Sequence, residues 1–302
     1  MRTIHNDKDH GLVLEFDTLS DYIKTAHETP PKGLENRIGK EKRSDFEGKV
    51  TWSEAMDMVK TGWPEGLADI KSAIASASTL PAQGPSMFMD VAGAYPVAAM
   101  AAAGEPASMV NPQPVEDRVR PVVRLAVNTW ASCAYSHKQY MVYGASLVSY
   151  MDALESAGYR VELIAAVHCV ASSNSKRYTT LTTVKKAEDP LELDKMAYVF
   201  AHASMLRFFG FQNMMVSDMG KALGNTCGSP AQIEQRHVSD PDNTIILSGI
   251  NSVGPGNPAL NNVDDCLALI GPQIEAQMKD HGMPLPDLAF VDDDLGSRPG
   301  LD

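Results

Sequence analysis

From residue 120 onwards the chain alternates between continuous apolar runs and amphipathic stretches. VVRLAVN at 122–128 and RVELIAAVHCV at 160–170 are rich in β-branched residues and predict buried strands. Residues 137–157 between them carry tyrosine, leucine and methionine at helical spacing, and Gly158 stands where such a helix would end. This pattern predicts the opening strand–helix–strand unit of an α/β domain with a doubly wound, mostly parallel sheet.

The remaining elements of this half alternate in the same way. We predict an edge strand, a long helix opened by Pro190, a central parallel strand, a helix capped by Asn262 and a short last strand. Their ranges are 178–187, 191–211, 243–250, 262–280 and 286–294.

The first half of the chain has a weaker pattern. A helix is expected over 11–27, a polar linker over 30–45, and a helical hairpin over 51–80 that begins with a capping box of Thr51 and Glu54. The expected organisation is an N-terminal helical region with its linker, an irregular connector rich in proline, glycine, alanine and methionine, the α/β domain and a loose tail. These regions cover 1–80, 81–119, 120–294 and 295–302.

Composition narrows the class of protein. Acidic residues outnumber basic ones by 38 to 26, so a net charge of -12 disfavours binding to nucleic acid. No apolar run is long enough for a membrane span, so a cytoplasmic protein is expected. The scattered cysteines indicate reduced thiols and not a disulfide framework. They are Cys133, Cys169, Cys227 and Cys266.

Ligands of open parallel sheets bind beyond the carboxyl ends of the strands. The polar residues at these positions are Asn128, Ser132, Ser136, His168, Ser248, Asn251 and Asp292. The loop NTWAS at 128–132 resembles the D-x-S-x-S loop of von Willebrand factor A-type domains, in which two acids, two serines and a threonine hold a divalent ion.

This chain departs from that pattern. Asn128 replaces the first acid, Trp130 replaces the first serine, and Ser248 with Gly249 replaces the family's later Asp-Gly pair. Because Mg²⁺ is normally bound through one or two carboxylates, the resemblance implies a degenerate site, and no metal or cofactor is expected.

A second resemblance covers TWSEAMDMVKTGWPEG at 51–66, MDVAGAYPVAAMAAAGEPASMV at 89–110 and the strand that follows. These segments are similar to a widespread group of bacteriophage proteins of unassigned function. The resemblance implies expression in an infected bacterial cell and no known catalytic residue.

Other combinations that could carry chemistry have simpler structural interpretations. His168 with Cys169 is interpreted as core packing at a strand end, and Cys227 with His237 lacks the spacing of a zinc site. The acidic run 292–294 is interpreted as a solvated surface, and the loop 252–258 lacks the lysine of a phosphate-binding loop.

We therefore predict a phage-encoded, non-catalytic adaptor or scaffold that binds a protein, such as an AAA+ ATPase or a host factor, in the bacterial cytoplasm. Trp130 is expected either to anchor the partner or to close the top of the core. The predicted binding residues are Asn128, Trp130, Ser132, Tyr135, His168 and Asn251. The alternatives are a structural component of the virion and a metal-dependent hydrolase acting on nucleotide or nucleic acid.

Overall fold

A computed structural model describes residues 2–7, 11–28, 46–77, 87–93, 95–112, 121–171, 176–216 and 229–285. The linker at 30–45, the last strand predicted at 286–294, the tail and Cys227 lie outside these ranges. The strands are β1 Arg2–Asp7, β2 Gly11–Phe16, β3 Met87–Asp90, β4 Tyr95–Pro96, β5 Met109–Pro112, β6 Val122–Asn128, β7 Arg160–Val170, β8 Arg177–Lys185, β9 Ser229–Pro230 and β10 Thr244–Leu247. The α-helices are α1 Leu19–Glu28, α2 Trp52–Thr61, α3 Pro64–Ala77, α4 Ala98–Ala102, α5 His137–Ser156, α6 Leu193–Ala201, α7 Phe211–Val216 and α8 Val263–Asp280.

The main sheet confirms the α/β class. Its strand order is β1-β2-β8-β7-β6-β10, and β9 pairs with β7 outside this path. The pairs β2–β8, β6–β7 and β6–β10 are parallel, whereas β1–β2, β7–β8 and β7–β9 are antiparallel. The strands β6 and β7 occupy the ranges that their apolar runs predict.

Two strands lie at other places in the sheet than the sequence pattern suggests. β8, expected at an edge, lies between β2 and β7, because residues 11–16 form a strand and not the start of a helix. β10, expected in the centre, is the last strand in the order. Its outer edge is closed by Gln277 of α8, whose amide accepts from the N–H of Ile246 at 2.9 Å and donates to its carbonyl at 2.9 Å.

Most helices share one large core on one face of the sheet. Side chains from α1–α3 and α5–α8 pack with the same alternating strand positions, for example Leu125, Leu163 and Leu247. In the part of the chain that the structure describes, no α-helix contributes to the smaller core on the opposite face. Helices on both faces, as a doubly wound sheet would have, are thus not seen among these residues.

A segment at 231–243, made of loops and two 3-10 helices, covers the opposite face. Ile233 and Val238 pack there against strand residues such as Ala126 and Ile164. Hydrogen bonds fasten the segment across the sheet: Ser239 donates to Glu15 on β2 at 3.1 Å, and Gln235 donates to the carbonyl of Thr244 on β10 at 3.2 Å. A polar segment whose regular structure is limited to two short 3-10 helices, Gln235–His237 and Pro241–Asn243, therefore forms the second layer.

The capping box at the start of α2 is confirmed. Thr51 Oγ1 accepts from the N–H of Glu54 at 3.2 Å, and the carboxylate of Glu54 accepts from the N–H of Thr51 at 2.8 Å. The N-terminal region is nevertheless no appendage, since β2 lies in the main sheet. None of the helices described here has both the length and the apolar character needed to cross a membrane.

The connector expected to be irregular contains a second sheet. β3, β5 and β4 form an antiparallel unit in that order, and α4 lies between β4 and β5. We call residues 87–112 the small sheet unit. Wherever the structure describes the exposure of a side chain in this unit, that side chain is exposed or half-buried.

The long helix predicted over 191–211 is interrupted. It consists of α6, a π-helix at Met205–Gly210 and α7, separated after α6 by His202 in an extended conformation. His202 Nδ1 accepts from the N–H of Ser204 at 3.2 Å, so a side chain satisfies a backbone group that an uninterrupted helix would bond.

A matched pair of glycine substitutions tests the close contact between α5 and α6. A Cβ on Gly144 would lie 2.4 Å from the Cα of Ala201, whereas a Cβ on Gly271 of α8 would meet the ring of Tyr150 at 3.3 Å. We expect Gly144→Ala to lower the free energy of unfolding by about 1–3 kcal/mol. Gly271→Ala should change it by less than about 1 kcal/mol, because the ring can shift. Equal urea unfolding curves for the two variants would contradict this packing.

Candidate functional site

The order in which the chain adds strands to the sheet reverses at β6. The chain passes from β6 to β7 on one side, and β10 pairs with β6 on the other. In open α/β sheets this switch point is where a ligand crevice is expected. Here it lies between the loop after β6, at 128–136, and the turn after β10, at 248–252.

Asn128 lies at the bottom of this switch point, where β6 ends. Its side chain is 1% exposed, and its Oδ1 accepts from the N–H of Trp130 at 3.1 Å. Its Nδ2 donates to the carbonyl of Ala231 at 2.8 Å, which connects the strand end to the segment on the opposite face. Both ends of the amide are therefore bonded to backbone.

Asn251 joins the two loops from the other side. Its Nδ2 donates to the carbonyl of Trp130, and its Oδ1 accepts from the N–H of Ser132 at 3.1 Å. Gly249 allows the close approach: it has φ of 75°, and a Cβ on it would lie 1.8 Å from the carbonyl oxygen of Asn128. The structure thus brings Asn128, Trp130, Ser132 and Asn251 together, and the two asparagine side chains bond the backbone of Trp130 and Ser132.

The other predicted residues of the loop also have structural contacts. The indole of Trp130 is 1% exposed and lies 5.0 Å from the ring of Phe211, so it closes the core and is not an exposed anchor. Tyr135 is buried, and its carbonyl accepts from Arg207 at 3.2 Å. Ser136 caps α5 in a capping box with Gln139.

The side chain of His168 lies on the face of the sheet opposite the main core, and the His168 carbonyl accepts from the N–H of Ala231 at 3.3 Å. Its Nδ1 is 2.8 Å from Thr179 Oγ1, and its ring lies 4.5 Å from that of His237. Burial, followed by the effect of His237, lowers the pKa of His168 to about 3. Cys169 points into the main core instead, so the two residues do not form a pair.

The donor set does not suit a hard cation. The amide oxygens of Asn128 and Asn251 both accept backbone N–H groups, and no carboxylate stands in the positions that Asn128 and Ser248 occupy. Among the residues described, no group of three or more His, Cys, Asp and Glu is placed to hold a metal ion. Asp292 and the acidic run that follows lie outside the described residues.

Sequence reasoning missed a buried arginine behind the loop. Arg207, on the π-helix, is 3% exposed and donates to the carbonyls of Phe46 and Tyr135. Its guanidinium carbon lies 4.0 Å from the ring centre of Phe46 and 4.9 Å from that of Tyr140. The signal available in the sequence is a single charge inside the apolar run MLRFFGF.

A serine and a histidine also meet behind the loop. His202 Nδ1 lies 2.8 Å from Ser204 Oγ, which is 3.0 Å from Tyr198 Oη. Burial lowers the pKa of His202 to about 3, and Ser204 has 0% exposure. The cavity beside His202 has a volume of about 20 Å³, which is the size of one water molecule, and Ser204 is not among its lining residues.

A family profile, described as a domain of unknown function (DUF7192), matches residues 5–273. The chain belongs to this family. Comparisons with curated proteins and with solved structures gave no match. Membership of DUF7192 agrees with an expected family of unassigned function and adds no activity of its own.

The asparagine that joins the loops can be tested by a change of one functional group. Asn251→Asp removes the donor to Trp130 and places a carboxylate beside that carbonyl, so we expect the free energy of unfolding to fall by about 1–3 kcal/mol. Asn261→Asp adds the same charge at an exposed position and is the control. Equal urea midpoints for the two variants would show that the bond carries no stability.

The buried His168 predicts a pH dependence. The unfolded chain takes up a proton on this residue near pH 6.5, whereas the folded chain does so at about pH 3. The unfolded state therefore binds more protons between these values, and the contribution of His168 is complete above pH 6.5 and lost as pH falls towards 3.

We expect His168→Asn, which places an amide that does not titrate beside Thr179, to flatten the pH dependence of stability. Between pH 6 and pH 4 the slope should fall by up to about 1.4 kcal/mol per pH unit. Urea unfolding at several pH values measures the slope, and an unchanged slope would mean that His168 is protonated in the folded chain.

Proposed function

We propose that this chain is a non-catalytic protein that binds another protein, as an adaptor or scaffold. The observation that carries the proposal is the small sheet unit. It is apolar and yet buries none of its described side chains. Exposed apolar surface of this kind usually marks a contact site.

The composition of the unit supports this assignment. Residues 87–112 contain Asp90 and Glu105 as their only charges, in a chain with 64 Asp, Glu, Lys and Arg residues. Met89 and Val91 are 38% and 69% exposed. The alanines of α4 are exposed as well. Burying such a surface against a partner would be favourable in proportion to its apolar area.

The strand order supports a degenerate von Willebrand A-like fold as part of the proposal. Taking β6, β7, β8 and β10 as strands one to four, their order in the sheet is 3-2-1-4, as in doubly wound domains. The loop that would hold the ion in such a domain is occupied here by hydrogen bonds to its own backbone. Hydrolysis through a bound metal is therefore the less favoured function.

The proposal also covers the cell in which the protein acts and the class of its partner. The resemblance of residues 51–66 and 89–110 to bacteriophage proteins suggests action in an infected bacterium. One of these segments overlaps the small sheet unit. An AAA+ ATPase or a host factor is the class of partner that we propose.

The proposal is tested by placing charge on the small sheet unit. We expect Met89→Glu/Val91→Glu to abolish recovery of the partner in affinity purification from the cells that express the protein. The melting temperature should change by less than about 2 °C, because these side chains are not packed in the core. Quantitative mass spectrometry of the purified material measures the loss.

Val122→Glu/Leu285→Glu is the matched control. Both residues are exposed, at 37% and 50%, and lie outside the unit. This variant should retain the partner at the wild-type level. Equal recovery of the partner with the Met89/Val91 variant would contradict the assigned surface, and the absence of any specific partner would contradict the function itself.

A further inference from the structure

Residues 46–50, which directly precede the capping box of α2, lie on the helical side of the molecule. We call them the strap. At one end Val50 packs against the main core, and the hydrogen bonds between Thr51 and Glu54 fix the chain just after it. At the other end the ring of Phe46 is 37% exposed. The strap is therefore firmly attached at one end and reaches the surface at the other.

A buried cation holds the exposed end of the strap. Arg207 donates to the carbonyl of Phe46, and its guanidinium carbon lies 4.0 Å from the centre of the Phe46 ring. The same guanidinium donates to the carbonyl of Tyr135 and lies 4.9 Å from the ring centre of Tyr140. Arg207 belongs to the π-helix, a rare helix type that is frequent at functional sites. One side chain thus ties the strap to the loop after β6 and to α5.

The closed strap leaves polar atoms without hydrogen bonds. Arg207 Nε and Glu47 Oε2 are both buried, and neither has a partner among the residues that the structure describes. None of the ion pairs found within the described ranges includes Arg207. Burying polar atoms in this way is unfavourable, and water would solvate both of them if the strap moved away.

The backbone of the strap is strained as well. Lys49 has φ of 63°, and among the described residues it is the only one other than glycine in the left-handed region. Gly48 precedes it with φ of 78°, and a Cβ there would lie 2.8 Å from His202 Cε1 and 3.2 Å from His137 Nδ1. The close approach to the two histidines therefore goes together with a left-handed lysine, whose strain would be relieved by opening.

We propose that the strap is a latch that opens while the rest of the domain stays folded, by release of Phe46 from Arg207. The contact between Phe46 and Arg207 stabilises the closed state. The two unsatisfied atoms and the conformation of Lys49 oppose it, so the two states lie close in free energy. Opening uncovers Arg207 together with His137 and His202. This device is independent of the small sheet unit and of the function assigned to it.

The test observes the ring of residue 46 directly. The full chain is prepared with para-fluorophenylalanine at this position, and fluorine NMR with saturation transfer detects a minor state in exchange with the main one. We expect a minor state at the chemical shift of a solvated ring, with a population of at least about 1% in buffer without denaturant. Global unfolding is populated far less than this in a stable domain, so the minor state would report local opening.

An arginine-to-lysine change identifies the group that holds the strap. Arg207→Lys keeps the positive charge and loses the planar donor, so the open population should rise about tenfold, the effect of losing one hydrogen bond to a charged group. The control is Arg236→Lys, the same change at an exposed arginine that pairs with Glu234 outside the strap. It should leave the population unchanged. Circular dichroism in urea checks that both variants remain folded.

A second variant acts without touching the core. Lys49 is exposed, and Lys49→Gly allows the left-handed conformation without strain, so the open population should fall. This variant decides the question if Arg207→Lys does not fold. The proposal is overturned if no minor state reaches about 0.1%. It is also overturned if Arg207→Lys and Arg236→Lys have equal open populations, or if Lys49→Gly leaves the open population unchanged or raises it.

Discussion

Backbone N–H and C=O groups just beyond the end of a buried strand need hydrogen-bond partners. Two asparagines supply these partners at the ends of β6 and β10. Asn128 bonds the start of its own loop and the segment across the sheet. Asn251 bonds the same loop from the turn after β10. The turn comes this close only because Gly249 has no Cβ. The position of Trp130 over the core, and that of the segment at 231–243, depends on these contacts.

The same requirement accounts for the contacts of the polar residues in the described interior. Asn128, His168, His202, Ser204 and Arg207 are all buried, and each has a hydrogen bond to backbone or to a neighbouring side chain. Burial keeps both histidines neutral near pH 7, since it lowers the pKa of each to about 3. Buried polar groups satisfied in this way fix one arrangement of a core and leave binding to the surface. The small sheet unit is the surface on which the proposed function rests.

Local patterns in the sequence predicted local structure well. The apolar runs gave β6 and β7, and the capping residues Thr51 and Asn262 marked the starts of α2 and α8. Pairing between distant segments could not be predicted in this way. Leu12, Leu14 and Phe16 suit either a strand or a helix until β8 is available as a neighbour. The break at His202 depends on a side chain that competes for a backbone N–H, which periodicity does not report.

The candidate site likewise has features that the sequence predicted and features that it did not. Because β6 and β10 are parallel neighbours, the proximity of Asn128 and Asn251 followed from the rule that strand ends meet at one edge. Their bonds to the backbone did not follow, since these depend on the path of two loops. The sequence left two roles open for Trp130, anchoring a partner or closing the core. Its contact with Phe211, a residue 81 positions further along the chain, supports the second role.

The central claim is that the strand ends are closed by the protein's own hydrogen bonds. Hydrogen exchange of the Trp130 and Ser132 amides, measured by NMR with and without Mg²⁺, tests it most directly. Both amides donate to asparagine side chains, so we predict protection comparable to that of the β6 amides and no change on addition of the ion. Fast exchange that slows when Mg²⁺ is added would show an open site that closes on a cation, and would contradict the account.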